Sequence, residues 1–122
     1  MICLGTGICE VKRVKRLLNK HGSRFLEFIF TDRESGYSLK RANPEIHLAG
    51  RFSAKMAVKK CLAGAGLRVA LREVEVVPGE EGGVEICEHL KRKVREELSG
   101  SVLVNISHSN RRAVAIALLM PL

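Results

Sequence analysis

The sequence predicts an α+β fold, an antiparallel sheet with packed helices, and three observations carry that expectation. Apolar residues recur at helical spacing in two places, at Val11, Val14, Leu17 and Leu18 and again at Ile86, Leu90, Val94 and Leu98. Two apolar segments, SVLVNI (101–106) and AVAIALLM (113–120), flank the polar SHSNRR, the pattern of a strand, a turn and a strand. And 122 residues, 46% of them apolar, suffice for one domain over 1–122 with its own core and fall short of two.

Taken in order, residues 1–9 read as a buried strand broken by Gly5 and Gly7. A helix over 11–20 turns Lys12, Arg13, Lys15, Arg16 and Lys20 away from its apolar side, with Gly22 as its stop. RFLEFIF (24–30) is dense enough in apolar residues for a second short helix in the core. Thr31 is placed to cap a third, DRESGYSLKR, because Glu34 follows at capping-box spacing. Asn43-Pro44 marks a turn before a helix at about 45–62, which GAG (64–66) ends. LRVALREVEVV (67–77) alternates like one or two strands, PGEEGG (78–83) is a turn, and 84–98 is an amphipathic helix.

Composition narrows the partners. A net charge of +8, from 21 basic and 13 acidic residues, favours an anionic one. One Tyr and no Trp leave little to stack single-stranded bases on, so nucleic acid is not expected. The longest apolar run, AVAIALLMPL, is well under the roughly 18–20 residues of a membrane span, so no membrane is expected either. The opening MICLGTGICEV lacks the basic leader and long apolar core of a signal peptide, which points to a cytoplasmic protein. Cys3, Cys9, Cys61 and Cys87 show no pairing at metal-ligand spacing and read as small apolar residues in a reducing compartment.

Several stretches could carry chemistry. GTG (5–7) lacks the third glycine of a dinucleotide loop, and a close backbone approach explains it better. The basic face of helix 11–20 is either solvated or a dock for an acidic helix, and the two readings stand level. His108 lies between two strands, beside Ser107, Ser109, Arg111 and Arg112, all donors to an anion. The helix containing HLAGRFSAKMAVKK (47–60) says most. Phe52, Met56 and Lys60 share one stripe, Arg51, Lys55 and Lys59 the next, and the stretch has no Asp or Glu. It suits a ligand with a greasy part and a phosphate part, or else it is a core helix with a solvated basic back.

That stretch resembles the HLAGRFAAKEA…K motif of the holo-[acyl-carrier-protein] synthases, the small bacterial 4′-phosphopantetheinyl transferases. LGTGICEVKRV is similar to their opening GTDIVEI..RI, RFLEFIFTDRESGY to RFLERIFT..E..Y, and VNISHSNRRAVAIALL to the closing VSISH…YA.A.V. The resemblance runs in order through nearly the whole chain and implies the 4′-phosphopantetheinyl transferase-like fold, a homotrimer and active sites between subunits. It implies transfer of 4′-phosphopantetheine from coenzyme A to a serine of an acidic acyl carrier protein, with magnesium on the pyrophosphate. By position, Lys60 is then the catalytic lysine, and Phe52, Lys55, Lys59, Lys60 and His108 contact coenzyme A. Arg13, Arg16 and Arg24 face the carrier protein.

Two departures accompany the match. Gly7 stands where the family motif has the metal-binding Asp of GTD, and Met56 where it has the metal-binding Glu of AAKEA. Glu10 remains, but strand alternation puts it on the opposite face from position 7. A thioether is a poor ligand for a hard ion, so turnover is expected to fall by several orders of magnitude, roughly what a lost metal anchor costs phosphoryl transfer. The alternative is a non-catalytic member that binds coenzyme A or carrier protein. Restoring both carboxylates is expected to restore activity if the rest of the site is intact.

Overall fold

The computed structural model describes residues 2–122. Met1, the first residue of the strand expected over 1–9, lies outside the described residues. Strand β1 (Cys3–Glu10) leads into helices α1 (Val11–His21), α2 (Ser23–Ile29), α3 (Asp32–Leu39) and α4 (Pro44–Gly64). A 3₁₀ turn (Leu71–Glu73) precedes the hairpin of β2 (Val76–Pro78) and β3 (Val84–Ile86), then α5 (Glu88–Leu98), β4 (Gly100–His108) and β5 (Arg112–Pro121). β1, β5 and β4 form an antiparallel sheet in that order, with Leu4 opposite Leu118 and Leu118 opposite Leu103.

α4 is the axis of the molecule. One face packs on the sheet, where Ala54, Ala57, Val58, Cys61 and Leu62 join Ala115, Ala117 and Leu119 in one apolar cluster. The other end joins a second cluster with Val14 of α1 and Phe25, Ile29 and Phe30 of α2 and its cap. Thr31 and Glu34 form the expected capping box, each side chain bonded to the other residue's backbone N–H.

Two expectations change. Residues 67–75 form no strand, although Leu67, Val69 and Val74 are buried as their apolar pattern suggests. Their backbone groups are satisfied elsewhere: Leu67 N–H donates to Leu62 O, Val74 N–H to Leu71 O, and Lys55 donates to Val74 O. Alternation reports burial, and here no neighbouring strand provides the ladder. The helix expected over 84–98 starts only at Glu88, because Val84–Ile86 closes a hairpin on β2 around the PGEEGG turn, with Val76 opposite Ile86.

The stripes of α4 are also reversed. Arg51 and Lys55 are buried and Lys59 half-buried, whereas Phe52 and Met56 are half-buried and Lys60 is exposed. A helix covered by the sheet on one side and by α1 and α3 on others leaves no solvated back for the basic stripe.

Candidate functional site

A cleft of about 200 Å³ opens beside the N-terminal half of α4, lined by Tyr37, Ile46, His47, Gly50, Arg51, Val84, Asn105, Ile106 and His108. The polar groups in and beside it come from separate elements. Arg51 reaches it from α4, with its guanidinium 5.1 Å from the Tyr37 ring centre, and Arg41 stacks on the same ring at 4.3 Å. His47 and His108 face each other with ring centres 6.2 Å apart. His108 is the last residue of β4, paired with Ala113, and does not ride on the tip of the turn. Burial lowers the His47 pKa below the usual 6.5, and Arg41, His108 and Arg51 push the same way. Among the described residues, the buried Arg51 Nε has no hydrogen-bond partner. A cleft with two imidazoles and such a guanidinium is built to receive an anion.

Lys55 is held elsewhere. It is fully buried; its Nζ donates to Glu34 Oε1 (2.6 Å) and to Val74 O (2.8 Å). Glu34 accepts as well from Thr31 N–H and Val76 N–H, each at 2.9 Å. Burial pushes the Lys55 ammonium below the usual lysine range, and the Glu34 carboxylate opposes that shift. Lys59 donates to Val69 O and so ties down the chain after α4. Neither ammonium lines the cleft. Lys60 is exposed, nine positions beyond Arg51, or about 13 Å along the helix axis. Phe52 packs edge-on against Phe30, with ring centres 6.2 Å apart. Arg13, Arg16 and Arg24 are all exposed on α1 and α2.

Further along α4, towards its C-terminal half, β1 lies directly on the helix backbone. A Cβ placed on Gly5 would stand 2.0 Å from Ala57 O, and one on Gly7 2.1 Å from Ser53 O. Glu10 is exposed and on the other face of β1 from Gly7, as alternation requires.

The model of the 4′-phosphopantetheinyl transferase superfamily matches residues 3–117. The chain belongs to this superfamily. Among members similar to it, the holo-[acyl-carrier-protein] synthase of Caldanaerobacter subterraneus subsp. tengcongensis is 38% identical over 120 residues, covering 96% of this chain and 93% of that protein. The Chlamydia caviae synthase is 39% identical over 116 residues, covering 93% of each. In structure, the Neisseria meningitidis synthase superposes with a TM-score of 0.83 at 28% identity, over 98% of this chain and 99% of that one. The Chronobacterium ammoniagenes enzyme, solved as a coenzyme A complex, gives 0.78 at 27% identity, over 100% and 98%.

Measured against the superfamily's motif, the residues at positions 7 and 56 do not fit a magnesium ion. Gly7 offers no donor and Met56 a thioether, where a hard ion takes oxygen. No group of three or more His, Cys, Asp or Glu side chains is disposed to hold a metal among the described residues. Sequence reasoning about sites missed Tyr37 and His47, which line the cleft with His108. The lone arginine-tyrosine-histidine spacing gives no local signal; only the approach of α3, α4 and β4 makes a cleft of them.

Proposed function

We propose that this protein is a holo-[acyl-carrier-protein] synthase-like transferase that moves 4′-phosphopantetheine from coenzyme A to a carrier-protein serine, at impaired rate. The observation that carries this reading is the anion-receiving cleft of Arg51, His47 and His108, built on the helix that bears the family motif. Its neighbour, the C. ammoniagenes enzyme, was solved with coenzyme A, which supports assigning the cleft to that ligand's phosphates. In the transfer, the seryl hydroxyl releases its proton to solvent as its oxygen bonds to the pantetheine phosphorus, the pyrophosphate bond breaks, and adenosine 3′,5′-bisphosphate leaves. Lys60 stands in this reading at the transferring phosphate and the seryl hydroxyl. Phe52, Lys55 and Lys59 then support the coenzyme A site: Phe52 by packing beside it, the two lysines by fixing the chain around α4. Residues 1–122 act as one unit, and the free cysteines suit the reducing cytoplasm.

The experiment is direct. With coenzyme A and an apo-carrier protein, mass spectrometry should show slow gain of the phosphopantetheine arm, several orders of magnitude below an enzyme with both metal carboxylates. Coenzyme A binding by calorimetry with no product after hours would favour the second reading, a non-catalytic member. The specific observation on its side is the pair Gly7 and Met56.

We infer that the protein works as a homotrimer. The sheet face turned away from α4 is apolar and exposed, with Leu4 62%, Ile8 65%, Leu103 58% and Ile116 49% accessible across adjacent strands. A contiguous apolar sheet face of this kind seeks a cover. A second copy would also bridge the distance between the cleft and Lys60, which a single chain leaves apart. Ile116→Asp, at the middle of the face, should reduce the mass seen by light scattering from three chains to one, with the monomer still folded. A wild-type monomer would sink this reading.

A further inference from the structure

Magnesium's expected place lies between positions 7 and 56, and the loss of two ligands is only part of what has happened there. β1 rises along α4 in step with it. Cys61 Sγ donates to Cys3 O at 3.3 Å, Gly5 lies against Ala57, and Gly7 lies against Ser53. Two strand residues span about 6.7 Å and four helix residues about 6.0 Å, so a strand can follow small residues at every fourth helical position. Ser53, Ala57 and Cys61 provide them, and Cys9 continues the line into the cluster that holds Ala49. The Ser53 hydroxyl is turned back onto Gly50 O at 2.8 Å.

Position 7 is therefore filled by helix backbone. At 2.1 Å from Ser53 O, even a methyl group needs β1 and α4 to part, since the obstructing atom belongs to the main chain. A local shift is blocked on both sides. Gly5 is equally close to Ala57 O, and β1 is paired with β5 without a break from Cys3 to Glu10. We propose that in this chain the β1–α4 contact closes the family's divalent-cation position, so that a phosphate-bearing ligand is held by arginine, lysine and histidine without a metal ion. Removing two carboxylates and keeping Arg51 and Lys60 shifts the local balance the right way for that, in a chain already at +8. It also corrects the expectation that restoring Asp and Glu at 7 and 56 would restore activity: an Asp at 7 has no room. The proposal rests on the coenzyme A reading only for its choice of ligand.

Three measurements on the full chain test it. Manganese titrated into wild type and into Met56→Glu, followed by electron paramagnetic resonance, should reveal no stoichiometric site. Coenzyme A should bind wild type with the same affinity, within about twofold, in EDTA and in millimolar magnesium. Gly7→Ala should melt about 10 °C or more below wild type, or fail to fold, because overpacking against backbone cannot relax. A stoichiometric manganese site in wild type, a tenfold or greater loss of coenzyme A affinity in EDTA, or a Gly7→Ala as stable as wild type would each overturn the proposal. If coenzyme A does not bind at all, the ligand reading fails, and the manganese and melting results still decide whether the position is closed.

Discussion

Replacing Glu34 with alanine is expected to cost about 3–5 kcal/mol of folding stability, the loss typical of breaking a buried ion pair. Glu34 is 2% exposed and its carboxylate takes three hydrogen bonds, from Lys55 Nζ, Thr31 N–H and Val76 N–H. The variant leaves the buried Val76 N–H, the half-buried Thr31 N–H and an ammonium whose remaining partner is Val74 O. Because burial already pushes Lys55 towards its neutral form, loss of the opposing carboxylate lets it shed the proton more readily, which limits the damage. The double variant Glu34→Leu/Lys55→Met should be much less damaging than the sum of its singles, since no charge is left behind. A coupling of more than about 1 kcal/mol in urea denaturation is expected. A loss under about 1 kcal/mol for Glu34→Ala would mean that the junction of α3, α4 and β2 is held mainly by apolar packing.

This junction also shows where sequence reading stops. The capping box was legible because Thr31 and Glu34 are three residues apart and local geometry decides their bonds. α1, the extent of α4 and the β4–β5 pair were legible for the same kind of reason, a pattern read over a short window, although the buried face of α4 was not. The Lys55–Glu34 pair spans 21 residues, and a lysine at that position reads as solvated until α4 is known to be covered nearly all round. In 67–77 the sequence showed which side chains are buried and could not show that their backbone groups bond to α4 and to one another. At the candidate site, His108, which lines the cleft, could be named in advance. Arg51, His47 and Tyr37 could not be joined to a cleft without the approach of three elements. The small residues Gly5, Gly7, Ser53 and Ala57 did carry a signal, since GTG was read as a close backbone approach, and the structure names the backbone approached.

Reversing Arg13, Arg16 and Arg24 to glutamate together is expected to weaken binding of an acidic carrier protein about 100-fold. Each exposed ion pair contributes about 0.2–1 kcal/mol, reversal substitutes a repulsion of similar size, and three sites sum to about 3 kcal/mol. All three side chains are exposed, so the fold and coenzyme A binding should be unaffected. The effect should shrink steeply between low and physiological salt, because exposed charges are screened over about 8–10 Å. An unchanged carrier affinity would return the basic face of α1 to plain solvation. Phe28 separates the electrostatic part of such a dock from the apolar part. It is 79% exposed, one helical turn after Arg24 on α2, and occupies a place where the related motif RFLERIFT has arginine. A carrier protein seated on Arg24 would cover this ring as well. Phe28→Ala should weaken carrier binding by about tenfold, roughly the worth of one buried aromatic, and that loss should persist at high salt. If it vanishes with salt as the arginine effect does, Phe28 lies outside the contact and the dock is electrostatic alone.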